Sequence, residues 1–232
     1  MYKQFNVFIL TICSALCFMT SATQAQLLEK STSAKDVSFL FHKMAGIPID
    51  YRQWAAQTQE YATAVEQRKE SVLNEQILKL QMEHAGLDQD KSDIIIRTQI
   101  TTKVDDTPEI GLHLDFSADG PLFFPYNYLE ENYAVIAQNI DLLKFIPLGK
   151  LESAYIKNKI SMHGKTYMVL KVRPHRVDAT EKTEIYKKKY WLMLGRIASM
   201  HLYNTELETL WSWTSDWYIK EQEDTEVDAL TQ

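Results

Sequence analysis

Cysteine is almost missing from the chain: 232 residues contain only Cys13 and Cys17, both close to the start. Both lie in a segment that opens with a single cation, Lys3, runs apolar from Val7 to Met19 and ends in the small and polar residues Thr20 to Ala25. That layout is a secretory signal peptide. It is too short for a membrane span, which needs roughly 20 apolar residues to cross about 30 Å of hydrocarbon. Cleavage is expected after Ala25, with Ala22 as the second choice. Ile12 and Leu16 precede the two cysteines, whereas known lipoprotein signals carry a small residue there, so neither cysteine resembles a lipoprotein site. A mature chain from Gln26 then holds no cysteine, which excludes disulfides, thiolate catalysis and cysteine-metal sites. The expected address is the periplasm, with secretion as the alternative, and the mature chain has no transmembrane segment.

Glycine and proline are scarce too, at 7 and 6 residues. No low-complexity linker, internal repeat, GxSxG elbow or phosphate-cradling loop is present. Excess positive charge is also lacking. The 25 basic groups less Lys3 leave 24 against 31 acidic ones, a net of −7 for the mature chain. Nucleic acid is therefore not an expected partner. One domain is expected over residues 26–219, large enough to bury roughly 70% of its unfolded surface without staples. Much of the acidity lies in Glu221-Gln222-Glu223-Asp224-Thr225-Glu226-Val227-Asp228, so residues 220–232 read as a solvated, disordered acidic tail.

The patterns present point to an α+β fold, with helices first and a mainly antiparallel sheet of hairpins after them. Ser33 and Gly46 bracket a short helix whose stripe is Val37, Leu40, Phe41 and Met44. Asp50 with Gln53 starts a second, long amphipathic helix that no breaker interrupts until Gly86. From Ile94 to Val104 the period changes to two, and Ile110 to Phe116 repeats it, predicting a hairpin across Asp105-Asp106-Thr107-Pro108. Asp119-Gly120-Pro121 breaks the chain, and Pro125 keeps Phe123 to Tyr128 out of a central strand. Asn132 to Gln138 reads as a strand, and Ile140 to Ile146 suits either state. Ala154 to Met162 and Thr166 to Arg173 predict a second hairpin around His163-Gly164-Lys165. Thr180 to Leu194 reads as a helix with a strand competing, and Arg196 to Tyr203 with Glu206 to Trp213 as a third hairpin.

Chemistry-bearing motifs are few. Six histidines, at 42, 84, 113, 163, 175 and 201, show no HExxH or HxxxH spacing. His113 and Asp115 lie two apart on the polar face of a predicted strand, so both can point at one substrate. They are the catalytic candidates, although an alternating strand displays such residues by default. No metal site and no cofactor are expected. Four of the five tryptophans, Trp191, Trp211, Trp213 and Trp217, fall close together with Tyr203 and Tyr218 among them. Trp211, Trp213, Trp217 and Tyr203 are the binding candidates: an exposed aromatic face holds sugars or a protein, whereas the same face against a helix is core.

The stretches Trp54-Ala55-Ala56-Gln57-Thr58-Gln59-Glu60-Tyr61-Ala62 and Phe123-Phe124-Pro125-Tyr126 resemble uncharacterised exported proteins of Gram-negative bacteria that carry a domain of unknown function. The resemblance spans about Pro48 to Trp213. It implies an envelope address and a helix-then-sheet order, and it carries no activity and no site residue. The expected function is a non-enzymatic binding or accessory domain that contacts another envelope component. The alternative is a hydrolase or small-ligand protein acting on cell-wall or envelope material, with His113 and Asp115 at its site.

Overall fold

The computed structural model describes residues 29–106, 109–116, 122–160 and 164–230. The segment read as a signal peptide, with both cysteines, Asp119-Gly120-Pro121 and His163 lie outside the described residues. The architecture is mixed α and β, with six helices and a mainly antiparallel eight-stranded sheet among the described residues.

Helix α1 (Ala34–Ala45) forms where its caps require it. Ser33 Oγ accepts the Asp36 N–H at 3.1 Å, and Gly46 ends the helix in the left-handed region at φ 65°. The next segment departs from the sequence pattern. The single long helix expected from Asp50 to Gly86 is instead α2 (Tyr51–Ala56), α3 (Gln59–Ala62), a 3₁₀ turn (Glu66–Arg68) and α4 (Lys69–Ala85). Two β-branched residues make the breaks: Thr58 and Val65 are extended, with ψ 152° and 149°. The Thr58 hydroxyl bonds back to Ala55 O at 2.7 Å and accepts the Tyr61 N–H at 3.3 Å, so it both closes α2 and caps α3. The fold-back lets Ala55 join Phe39, Leu73 and Leu80 in a small second core, which a continuous rod would not reach.

Strand β1 (Ile94–Asp105) pairs antiparallel with β2 (Gly111–Asp115), as the alternation of Ile94, Ile96, Ile100 and Thr102 predicts; all four are buried. Strand β3 (Phe124–Tyr128) carries Pro125 at the sheet edge beside β4 (Glu131–Gln138). A 3₁₀ turn (Ile140–Lys144) leads to β5 (Phe145–Pro147), which pairs with β2.

Two further expectations are overturned. The strand expected over Ala154 to Met162 is, as far as Lys159, part of a helix: α5 (Lys150–Lys159) forms there, with Ser153 and Ile156 facing inward at helical spacing, and Ser161 and Met162 lie outside the described residues. Thr180 to Leu194 is not a helix. It spans the hairpin between β6 (Lys165–Ile185) and β7 (Lys188–Tyr203), with Tyr186 and Lys187 left-handed in the turn. Asp178 Oδ1 accepts both the Thr180 N–H (3.0 Å) and its hydroxyl (2.6 Å), which serves a strand irregularity and not a helix start. Thr180, Thr183, Ile185, Tyr190 and Trp191 also suit a pleated surface.

The strand order is β3-β4-β7-β6-β1-β2-β5, with β8 (Thr209–Thr214) beside the second half of β7. β4 and β7 pair in parallel and the other pairs are antiparallel. The main core packs Val37, Leu40 and Phe41 of α1 onto Ile94, Leu170, Met193 and Met200 of the sheet. The acidic run expected to be a disordered tail continues α6 (Asp216–Leu230), and its Glu221 pairs with Arg173 at 2.9 Å.

Candidate binding site

Helix α1 is shared between two cores. Phe41 faces the sheet with the main core, while Phe39 faces α2 and α4 and stacks on Trp54 at 5.4 Å and on His84 at 5.2 Å. Where α1, α2, the β3–β4 turn and β7 converge, a pocket of about 250 Å³ remains. Its inner end is Phe41, Tyr133 and Trp191; the Phe41 centroid lies 5.4 Å from Tyr133 and 5.5 Å from Trp191. Its outer wall is Trp54 against Tyr128, with centroids 5.2 Å apart. Gln53 and Gln57 stand at the rim, both exposed. The β3–β4 turn beside it is held in a costly conformation: Leu129 and Glu130 both have positive φ, 47° and 66°, without being glycine.

Few polar groups face the cavity. Glu131 Oε2 accepts from Trp191 Nε1 at 3.2 Å and from Lys182 Nζ at 2.6 Å. The Lys182 ammonium also lies 5.3 Å from the Trp191 ring centroid. His42 Nδ1 is 3.3 Å from Ile47 O, which makes that nitrogen the donor and leaves Nε2 as an acceptor. Burial holds the His42 pKa below the usual imidazole range, although the Ile47 carbonyl and Glu131 pull it up. Tyr128 is pushed up to about 12, first by burial and then by Glu83 and Glu60. Near neutral pH both are uncharged, and Glu131 is the only carboxylate side chain in the lining, which holds no lysine or arginine.

The candidates named from sequence lie elsewhere. His113 and Asp115 both stand on the exposed side of β2, but the His113 ring contacts Phe145 at 4.8 Å and its Nε2 lies 3.3 Å from Asp105 Oδ2. Among the described residues no group of three or more His, Cys, Asp or Glu is placed to hold a metal ion. Trp211 and Trp213 sit across from Leu202 and Met200, on the core side of the sheet; Trp211 packs against that core and Trp213 is 38% exposed. Tyr203 faces the other side and stacks with His201 at 6.4 Å. Trp217 lies on α6 between the guanidinium groups of Arg196 (5.0 Å) and Arg173 (5.9 Å). These four do not form one platform. Of the tryptophan cluster only Trp191 reaches the pocket. Trp54, Tyr128, Glu131, Phe41, His42 and Tyr133 carry no motif in the sequence, and of the six only Tyr128 lies in the aromatic-dense stretch Phe123 to Tyr128.

Two larger openings are less selective. One of about 390 Å³ by Trp217 is lined by Arg173, whose charge is taken up by Asp93 and Glu221. Another of about 760 Å³ runs beside α4 and is lined largely by charged and amide side chains.

Comparison of the chain with protein-family models, with curated proteins and with solved structures finds no match.

His84 adds a pH dependence next to the site. Its Nδ1 bonds the Tyr51 hydroxyl at 2.5 Å, and its buried Nε2 has no hydrogen-bond partner among the described residues. Burial lowers its pKa, and Lys43 and His42 lower it further. The unfolded chain therefore takes up the proton first as pH falls below about 6.5, and stability drops until the folded-state pKa has been passed. A falling urea midpoint between about pH 7.5 and about pH 5, flattened in His84→Gln, is expected. A wild-type midpoint that does not move over that range would overturn this reading.

Proposed function

We propose that the protein is an exported envelope domain that acts by binding and not by catalysis, and that the aromatic pocket captures one side chain or head group of another envelope component. The observation that carries this reading is a pre-formed cavity of about 250 Å³ with five aromatic walls and a single carboxylate. Ligand pockets are largely apolar with a few placed polar groups, and they span about 300–1,000 Å³ for drug-sized molecules. A cavity just below that range fits one end of a partner better than a whole metabolite. The composition of residues 1–25 supports export, and the −7 net charge of the mature chain supports a partner other than nucleic acid.

A photo-crosslinking residue in place of Gln57, at the pocket rim, is expected to give one discrete adduct in periplasmic extracts. The chain that carries the crosslinker should itself begin at Gln26. The same residue in place of Gln99, exposed on β1, should give no such adduct, and Trp54→Ala should abolish it. Equal adducts from both positions, or none from Gln57, would remove the pocket from the function.

A further inference from the structure

The pocket is a cage and not a slot. Trp54 meets Tyr128 at 69°, and the His42 ring meets Trp54 at 88°, while Phe41, Tyr133 and Trp191 close the inner end. Parallel faces suit flat ligands, whereas rings set at steep angles surround a rounded group and turn several π faces toward it. Charge favours the same kind of occupant. Glu131 is acidic, and no lysine or arginine is among the residues that line the cavity. Glu131 Oε2 is engaged by Trp191 and Lys182, while its Oε1 makes no hydrogen bond among the described residues. Lys182 is a built-in example of the preferred contact, since its ammonium touches Glu131 and lies over Trp191 at once. An anion would meet Glu131 Oε1, while Lys182, the cation paired with Oε2, is not among the lining residues. A neutral apolar group would fill it but leave Glu131 without a new partner.

We propose that the cage binds the ammonium head of an organic cation on an aliphatic stem, with Glu131 as counter-ion and Trp54 and Trp191 as the principal ring faces. This rests on the reading of the pocket as the binding site and names the chemistry of its ligand. His42, neutral through burial, supplies an acceptor and no competing charge. Lysine side chains and amine-bearing lipid head groups both present such an ammonium, and both are tested as its source.

The five tryptophan indoles serve as NMR probes, assigned with Trp54→Phe and Trp191→Phe. The Trp191 N–H is bonded to Glu131, so it reports directly on that carboxylate. The protein is titrated with choline, its uncharged isostere dimethylbutanol, N-acetyl-lysine methylamide, glycerophosphoethanolamine and N-acetylglucosamine. An ammonium compound should move the Trp54 and Trp191 signals and leave Trp213 in place, and dimethylbutanol should bind at least about tenfold more weakly than choline. Glu131→Gln should weaken choline binding at least about tenfold. Lys182→Met should strengthen it a few-fold, a gain that a folding defect cannot imitate. Tighter binding of the lysine compound or of the head-group compound identifies the source, and either result supports the proposal. Equal binding of choline and dimethylbutanol, signals moved by the sugar alone, or no effect of Glu131→Gln would overturn it. Those outcomes leave the Gln57 adduct untouched, so failure of the ammonium assignment is separable from failure of the binding reading.

Discussion

Replacing Arg173 by methionine is expected to cost about 3–5 kcal/mol of folding stability, the range for removing one partner of a buried ion pair. Arg173 is only 8% exposed. Its Nε donates to Asp93 Oδ1 at 2.6 Å, and its Nη1 to Asp90 O at 2.8 Å and to Glu221 Oε1 at 2.9 Å. The Trp217 and Tyr218 rings lie within 5.9 and 5.6 Å of the guanidinium. Burial works against the cation, but hydrogen bonds to Asp93 and Glu221 overcome that and raise its pKa. Methionine leaves Asp93, whose side chain is 13% exposed, with the Tyr218 hydroxyl at 2.7 Å as its only remaining hydrogen-bond partner among the described side chains. Removing all three polar groups together, Arg173→Met with Asp93→Leu and Tyr218→Phe, should restore most of the loss, because no buried charge is then orphaned. Glu221→Gln should cost less than about 1 kcal/mol, since that partner is 38% exposed. Urea unfolding followed by circular dichroism reads all three. A loss below about 1 kcal/mol for Arg173→Met would mean that the cluster is solvated and does not fix α6 to the sheet.

The position of Arg173 also explains part of what local sequence does not show. It follows a register shift between Lys171 and Val172, and Pro174 beside it faces Gly195 across the β6–β7 pair. A Cβ on Gly195 would lie 2.3 Å from Val172 Cγ1 and 2.9 Å from the Arg173 carbonyl, so the strands approach this closely only because that residue is glycine. From sequence, Gly195 reads as a helix stop. Local signals were sufficient where one element's own chemistry decides its state: the Ser33 cap, the Gly46 turn, the alternation of Ile94 to Val104 and the edge position enforced by Pro125. They failed where two states share one pattern. Ala154 to Met162 reads as an alternating strand, yet Ser153 and Ile156 satisfy helical spacing as well. The pocket depends on longer-range contacts still. Tyr133 and Trp191 lie opposite one another because β4 and β7 pair in parallel, and Trp54 of α2 meets Tyr128 of β3, far along the chain. Neither contact leaves a periodic trace, and the tryptophans that are close in sequence at 191–217 are distributed over the sheet and α6.

Phe41→Ala is expected to cost about 3–5 kcal/mol, because a large ring is deleted from close packing and its neighbours can fill the void only in part. Phe41 is 1% exposed and contacts His42, Tyr133 and Trp191 with ring centroids 5.9, 5.4 and 5.5 Å away. It belongs to the main core and to the pocket wall at once, so this variant alone cannot separate folding from recognition. Phe41→Leu can. Leucine retains most of the buried volume, and its expected cost is about 1–1.5 kcal/mol, but it offers no π face to a cation. If the cage recognises ammonium, Phe41→Leu should weaken choline severalfold while leaving dimethylbutanol nearly unchanged, with the fold intact by circular dichroism. An equal loss for both ligands would show that Phe41 acts through shape alone. Unchanged choline affinity would assign the ring to the core and leave Trp54 and Trp191 as the faces that matter. The expected split follows from the place of α1 between two cores: the side chain that holds the helix on the sheet also forms the floor of the cavity. Substitutions that enlarge the cavity should therefore lose stability before they gain a new ligand.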